Sequence, residues 1–584
     1  MSAVLTAQEP SAKYLVNLQP PLVRHFDLIA QAPGGVARLR ELILTLAVQG
    51  KLVPQDPSDE PASELLKKIR AEKDRLIAEG KIKRDKPLAE IADEEKPFDL
   101  PTSWSWCKGR EIFNVIRGVT YQKTDARETP TVDHLPLLRA NNIQAAINLD
   151  DLVYVPNHLV SDDQFLRRGD YLVCLASGSK KLVGKAAPFT QEIDCSFGAF
   201  CGAIRPISDM DFLAIYLSSP LYRETVSAAS AGIGINNLKG TSLLALDIPL
   251  PPLAEQSRIV TRVEELMQLC DALEASGQLE AQQHAQLAGT LLGTLTQSET
   301  PEALADNWQR IATHFDMLLD RPEAVDALEQ TILQLAVRGL LVPQDPTDEP
   351  ASVLLQKIRT EKDHLIAQGK IKRDKPLPPI NKENQPCSLP SGWSWMRLSE
   401  LGEFGGGKTP STQNGAFWDG DIPWITPKDM KQLRLLSSED RVTQTAVDDG
   451  LALIPPGSVL MVVRSGILRR TVPTAINEVA TTINQDLKAL VLVEPELADY
   501  IQLLILGFEG FILKNLTKVG TTVESIQFDS FNAQAFPLPP LTEQSRIVNR
   551  VNELRNLCID LRNSLIATQN VEVNLSNSLL NRNV

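Results

Sequence analysis

The chain has 584 residues, 43% hydrophobic and 23% charged, the composition of a globular protein long enough to bury several cores. Its net charge of −14, from 59 Lys and Arg against 73 Asp and Glu, counts against a simple nucleic-acid-coating protein without excluding DNA binding; DNA contacts must be local or shared with partner subunits. No apolar run approaches the ~20 residues that span a bilayer, and residues 1 to 30 lack a basic start followed by an apolar signal core, so a cytoplasmic protein with no membrane association is expected.

In chain order, residues 36 to 48 place Leu39, Leu42, Ile43, Leu46 and Ala47 at helical spacing and stop at Gly50. A rigid PQDPSDEP turn follows. Pro61 then opens a second helix with Leu65, Leu66, Ile69, Leu76 and Ile77 on one face, ending at Gly80, so the two helices form a hairpin. Residues 81 to 101, charged and proline-bearing, read as a linker, and their KIKRDK run reads as solvated chain. Trp104 and Trp106 lead into an insert from Lys108 to Ile248, with candidate strands at 171 to 176 and 199 to 205 and a candidate helix near 212 to 222. After PLPPL comes a helix from about Leu253 to Leu295, with Ile259, Val263, Leu266, Cys270 and Leu273 in alternating steps of four and three; it would reach ~60 Å at 1.5 Å per residue.

The plan then repeats. Gly50 to Leu88 recurs as Gly339 to Leu377 with 32 of 39 positions identical, and Pro249 to Cys270 recurs as Pro537 to Cys558 with 17 of 22 identical. Leu328, Ile332, Leu335 and Ala336 precede Gly339 as their counterparts precede Gly50. A second insert, Arg397 to Phe536, follows Trp393 and Trp395, with candidate strands at 458 to 463 and 487 to 493 and a helix near 497 to 506. The last helix repeats the seam through Ile547, Val551, Leu554, Cys558, Leu561 and Leu565; such seams suit two helices packed together, or one helix lying on its own domain. The period of nearly 290 residues indicates two large units rather than a solenoid. The expected fold is two α/β (α+β) globular domains in tandem, joined by long helices packed as an antiparallel coiled coil, with a pseudo-two-fold internal repeat. Its segments are an amino-terminal helical region (1–100), a first globular domain (101–252), a central helical region (253–388), a second globular domain (389–540) and a carboxy-terminal helix (541–584).

Seven cysteines without a CxxC pair and six histidines without ligand spacing indicate buried thiols, with no metal site expected. GEFGGGKT at 402 to 409 satisfies the GxxxxGK[ST] pattern of a phosphate loop, the one basis for an NTPase alternative. It is followed by PSTQNGAFWDGD, which is turn chemistry, and the first insert has Arg117, Gly118, Val119 and Thr120 in its place. The chain has no [DNS]PP[YFW] tetrapeptide of an adenine methyltransferase and no nuclease-like carboxylate cluster with a lysine, so it reads as non-catalytic.

Polar loops suited to DNA occur at matched places. In the first insert SGSKKLVGK contributes Ser177, Ser179, Lys180, Lys181 and Lys185; in the second RSGILRRT contributes Arg464, Ser465, Arg469 and Arg470, with Ser177 and Ser465 288 residues apart. Arginine can read guanine bidentately, while lysine and small hydroxyls hold phosphate. Further candidates are Arg117, Thr120, Tyr121, Arg139, Asn141 and Asn142 in the first insert, and Lys408, Thr409, Ser411, Thr412 and Gln413 in the second. Asn236, Asn237 and Lys239 correspond loosely to Thr521, Thr522 and Gln527.

The chain resembles the DNA-specificity subunits of type I restriction-modification enzymes over nearly its whole length. PLPPLAEQSRIV and PLPPLTEQSRIV close each variable region, GKTPSTQNGAFWDGDIPWITPKDM opens the second, and LAVQGKLVPQDPSDEPASELL lies in the repeated frame. The resemblance implies two target-recognition domains, each reading half of a split, asymmetric site in double-stranded DNA. It also implies two modification subunits that methylate adenine at N6 with S-adenosylmethionine and two restriction subunits that translocate DNA with ATP and Mg. This chain itself would hold no cofactor. Within the same class, the recognition subunit of a two-subunit enzyme that cuts on both sides of its site is the alternative. The frame copy at 1 to 100 is longer than in some members, which leaves open the partner surface it contacts.

Overall fold

The computed structural model describes residues 29–82, 91, 96–230, 236–298, 300–373, 379–380, 385, 388–518, 520 and 523–581. The chain divides into two compact units, Met1–Glu280 with Gln569–Val584, and Ala281–Thr568. In the first, the apolar stripe read from the sequence forms α1 (Gly35–Val48), with Leu39, Leu42, Ile43, Leu46 and Ala47 all buried. Gly50 ends it at φ +70°, and a Cβ there would lie 2.6 Å from Pro101 and 3.1 Å from Trp104, so the helix stop is also the seat for the opening tryptophan of the insert. The hairpin continues as α2 (Ala62–Ala78). The single helix expected near 212 to 222 is two, α3 (Phe212–Ser218) and α4 (Pro220–Ala229). Pro220 supplies no N–H to continue the first, and the Ser219 hydroxyl accepts from the Tyr222 amide to start the second. The first part of α5 (Leu253–Thr296) completes the unit: Ile259, Val263, Leu266 and Cys270 share one core with α1 and with Phe212, Leu213 and Tyr216 of α3. Frame and insert are therefore not separately cored, because the apolar faces of α1, α3 and α5 leave water against one another in one shared core.

The strands of the first insert are β1 (Ser105–Lys108), β2 (Phe113–Arg117), β3 (His134–Leu138), β4 (Val153–Pro156), β5 (Tyr171–Cys174), β6 (Ala176–Ser177), β7 (Ala186–Pro188), β8 (Ser196–Phe197), β9 (Cys201–Pro206), β10 (Asn236–Asn237) and β11 (Asp247–Leu250). They form sheets in the orders β2-β9-β5-β7, β4-β3-β8, β10-β6 and β1-β11. The β1-β11 ribbon ties the two ends of the insert together antiparallel, from Ser105 opposite Leu250 to Lys108 opposite Asp247.

The second unit repeats this plan. α6 (Pro322–Val337) and α7 (Ala351–Ala367) are its frame hairpin, α8 (Ala498–Gly507) lies against α6, and the first part of α9 (Leu541–Asn581) closes the core with Ile547, Val551 and Cys558. Its strands are β12 (Ser394–Met396), β13 (Gly402–Gly406), β14 (Trp418–Ile425), β15 (Arg434–Leu435), β16 (Arg441–Val442), β17 (Val459–Val462), β18 (Arg464–Ser465), β19 (Thr474–Asn477), β20 (Thr482–Ile483), β21 (Leu487–Leu492), β22 (Thr517–Lys518), β23 (Glu524–Ile526) and β24 (Phe536–Leu538). The sheets β13-β21-β17-β19-β15, β16-β14-β20, β18-β23-β22 and β12-β24 reproduce the connectivity of the first insert, with β15 and β22 added at edges. Two inserts with little visible sequence similarity thus share one topology. The last turns of α9, from residue 569, belong to the first unit, where Leu579 packs against the core.

The repeated sequence blocks turn out to be two halves of one lock, built once in each unit. At the start of α5, Arg258 pairs with Asp59 of the PQDPSDEP turn at 2.6 Å, and Gln55 Nε2 donates to Glu255 at 2.6 Å. At the start of α9, Arg546 pairs with Asp348 at 2.6 Å, while Gln344 Nε2 and Trp393 Nε1 donate to Glu543 at 3.2 and 3.0 Å. Glu255 and Glu543 are almost wholly buried. Burial pushes both carboxyls above the usual range, against the opposing pull of their hydrogen-bond donors. The long-helix seams find partners within their own units, with polar clamps at their rims. Arg40 bridges Asp271 and Glu274 at 2.6 and 2.7 Å, and Arg562 bridges Asp326 and Glu329 at 2.6 and 2.9 Å. Six cysteines are buried free thiols, as expected; Cys387 lies outside the described residues.

Candidate nucleic-acid interface

In the first insert, separate stretches of sequence converge on a cleft of about 370 Å³ lined by Tyr121, Arg139, Ala140, Asn141, Ala176, Ser177, Gly178 and Phe200. Gly118 makes this possible. A Cβ on it would come within 2.1 Å of the Gly198 carbonyl oxygen, so only glycine lets the chain after β2 lie against β8 and carry Tyr121 to the cleft, with Thr120 exposed beside it. Arg139 and Asn141 stand at the end of β3. Asp151, held at φ +55°, accepts from Arg139 Nη2 and from Asn141 Nδ2, each at 2.9 Å, and so orients both. Asn142 is a brace rather than a contact. It is 1% exposed, its Oδ1 accepts from the Arg139 amide at 2.8 Å, and its Nδ2 donates to the carbonyls of Asn148 and Asp150. Its amide group is consumed in shaping the loop, which removes it from the interface. Asn236 enters from the far end of the insert, paired in register with Ser177. Ser179, Lys180, Lys181, Asn237 and Lys239 are exposed beyond the cleft, while Lys185 is half-buried; the Lys181 carbonyl is tied to Arg223 at 2.7 Å. Arg117 is exposed at the end of β2, its carbonyl accepting from Gln164.

In the second insert the corresponding backbone carries other side chains. Gly407 takes the place of Gly118, since a Cβ there would approach the Asn484 and Ile483 carbonyl oxygens to 2.0 and 2.2 Å. The Lys408 amide donates to Ile483 as Val119 donates to Phe197. Strand packing thus explains Gly407 and also Gly402, where a Cβ would lie 2.1 Å from the Val491 carbonyl oxygen. After β13 the chain passes through an exposed loop holding Lys408, Ser411, Thr412 and Gln413, one helical turn at Gly415–Phe417 and then β14, with no helix whose N-terminus could face a phosphate. This overturns the phosphate-loop alternative. Thr409 donates to Gln485, the neighbour of Asp486. Asp429 caps the Thr426 amide at 2.8 Å as Asn142 caps that of Arg139, which makes Thr426 the counterpart of Arg139 and Lys428 that of Asn141.

Strand pairing also corrects the match proposed for the end of the inserts. Ser177 faces Asn236 and Ser465 faces Glu524, so Asn236 corresponds to Glu524, Asn237 to Ser525 and Lys239 to Gln527, which is exposed; Thr521 and Thr522 lie outside the described residues. Glu524 is buried and holds Arg469 Nε at 2.6 Å, whereas Arg470 is exposed. Arg464 lies 3.9 Å from Asp486. Sequence reasoning missed Phe200, Asp151, Thr426, Lys428, Gln485, Asp486 and Glu524. A constant offset of 287 or 288 residues relates Asn141 to Lys428 and Asn236 to Glu524, and that regularity was the available signal.

Among the described residues, no group of three or more His, Cys, Asp or Glu side chains is placed to hold a metal ion, and no helix is long and apolar enough to cross a membrane. The arrangement offers a cleft of hydrogen-bonding and apolar groups in the first insert and, at the equivalent places of the same topology in the second, a different set of side chains, chemistry suited to the edges of bases. The type I restriction modification DNA specificity domain matches residues 101–282 and 390–569. The specificity subunit of the type I restriction enzyme EcoAI of Escherichia coli is 35% identical over 577 residues, covering 93% of each chain, and that of EcoEI from the same species is 33% identical over 570 residues, again 93% of each. A solved structure of the HsdS subunit from Thermoanaerobacter tengcongensis is 18% identical, covers 84% of this chain and 98% of its own, and has a TM-score of 0.34.

Proposed function

This chain belongs to the type I restriction-modification DNA specificity family, and from that premise we propose that it reads a split, asymmetric site in double-stranded DNA, one insert to each half. It is the non-catalytic recognition subunit of such an enzyme. The observation that carries the two-half reading is the pairing of one strand topology with two different sets of side chains at equivalent positions: a shared scaffold presents different chemistry to different bases. Its duplicated frame docks two modification and two restriction subunits in the cytoplasm. Those partners bring S-adenosylmethionine for adenine N6 methylation and ATP with Mg for translocation, and they supply phosphate-neutralising charge that a chain of net charge −14 lacks.

The test is an exchange of residues 108 to 248 for the equivalent insert of another family member, followed by sequencing of methylated adenines in the host genome. One half of the methylated motif changes and the other stays; a change in both halves, or in neither, sinks the reading. The same assay tests the long helix as a ruler. One extra turn after Leu273 alters the permitted gap between the halves and leaves their bases unchanged, since a turn adds ~5.4 Å along the helix axis.

A further inference from the structure

Each insert contains one couple of positions where the backbone is the same and the side-chain chemistry is opposite. In the first, the amides of Leu175 and Ala176 both donate to the Phe200 carbonyl, at 2.8 and 3.0 Å; in the second, those of Val463 and Arg464 both donate to the Asp486 carbonyl, at 2.8 and 3.2 Å. This shared clamp sets residue 176 beside 200 and residue 464 beside 486. The first couple is a methyl group and a phenyl ring, with Phe200 65% exposed in a cleft otherwise lined by Tyr121, Arg139, Asn141 and Ser177. The second is a guanidinium and a carboxylate.

A single exposed apolar side chain is ordinary on a protein surface and by itself asks for no explanation. Here the equivalent position on the same scaffold carries an acid beside an arginine, so packing does not require an aromatic ring. The second couple is also held for use. Asp486 Oδ2 accepts from Asn484 Nδ2 at 3.3 Å, leaving Oδ1 toward Arg464, whose side chain is 60% exposed and 3.9 Å away. Arg469, by contrast, is committed to Glu524 at 2.6 Å.

We propose that this couple determines base specificity in each insert. Ala176 and Phe200 take the C5-methyl group of a thymine. Arg464 and Asp486 take a G·C pair, the guanidinium donating to guanine O6 and N7 and the carboxylate accepting from the cytosine N4 amino group. The proposal rests on the reading of the inserts as half-site readers, and it names one base position in each half.

The experiment expresses the full chain with its modification subunits and maps methylated adenines by single-molecule sequencing. Ala176→Arg with Phe200→Asp turns one thymine position of the first half-site into a G·C position and leaves the second half-site intact. Arg464→Ala with Asp486→Phe does the converse. Phe200→Ala weakens the thymine preference on the order of tenfold, and Phe200→Leu, still apolar, retains it. An unchanged motif in either double variant, or a change appearing in both half-sites, overturns the proposal. So does loss of all methylation in both Phe200→Ala and Phe200→Leu, which assigns the position to the scaffold. If exchange of the whole insert changes one half-site while the double variants change nothing, only the couple is wrong; if the exchange changes nothing, the half-site reading itself fails.

Discussion

The two inserts differ most where their backbones agree best. Gly118 and Gly407 press against equivalent strands, Asn142 and Asp429 cap equivalent loops, and Ser177 and Ser465 begin equivalent ribbons to the last part of each insert. Between those fixed points the side chains at equivalent positions diverge: Arg139 against Thr426, Asn141 against Lys428, Phe200 against Asp486, Asn236 against Glu524. Residues that set backbone position are constrained by clashes and unsatisfied amides, whereas residues facing the cleft are constrained only by what they bind. On the proposed function, it is the differences at the second class of position that make the two half-sites unlike.

The comparison breaks if equivalent scaffold positions respond unequally. Gly118→Val and Gly407→Val should each cost about 3 kcal/mol or more of unfolding free energy, because the Cβ meets backbone carbonyl oxygen that no rotamer can move aside. Chemical denaturation followed by hydrogen exchange in each unit would show damage confined to the unit that carries the change, and a mild effect in one of the two would mean that the strands after β2 and β13 are not equivalent. Glu543→Ala ranks next. It strands the Trp393 Nε1 donor in a buried site, a loss of about 1–3 kcal/mol in the second unit. Asn142→Ala and Asp429→Ala should each lose about 1–2 kcal/mol, since the first frees the Arg139 amide and the Asn148 and Asp150 carbonyls and the second the Thr426 and Glu439 amides, and both should broaden base preference on their own half-site only. A methylation map in which both halves blur would refute that separation.

The smallest effect is on pH dependence. Glu255 and Glu543 are raised in the folded protein, so the favourable contribution of their protonated forms is complete below the unfolded carboxyl value and is lost as pH rises through the folded one. The melting temperature should therefore fall over that window, and Glu255→Gln with Glu543→Gln should flatten the fall. A wild-type profile that rises across the same interval would contradict the assigned direction.

Much of this fold is legible in the sequence because it follows from local rules. The stripe on α1, the stop at Gly50 and the 3.5-residue seams each lie within a few turns of chain. Helix boundaries were read to within a residue or two at α1, α5 and α8, while the break between α3 and α4 was missed although Pro220 announces it. The basic loops at Ser177 and Ser465 were matched correctly because one ribbon offset relates them. Lys428 was missed although nearly the same offset places it opposite Asn141, because the equivalence is fixed by the caps from Asp429 and Asn142, a three-dimensional relation between an amide and a side chain rather than a pattern of hydropathy.

By itself the sequence determined the duplicated frame, the tandem mixed α/β inserts and the family, because repetition and helical periodicity are written along one dimension. Only the tertiary structure decided which side chains share a cleft, that Asn142 and Arg469 are already committed to partners within the protein, and that the two conserved blocks of each repeat close on one another. Apart from the brace at Asn142, whose partners lie three to eight residues away, those outcomes depend on contacts between residues 55 to 200 positions apart, where burial and hydrogen-bond geometry, rather than local spacing, determine the neighbour each side chain meets.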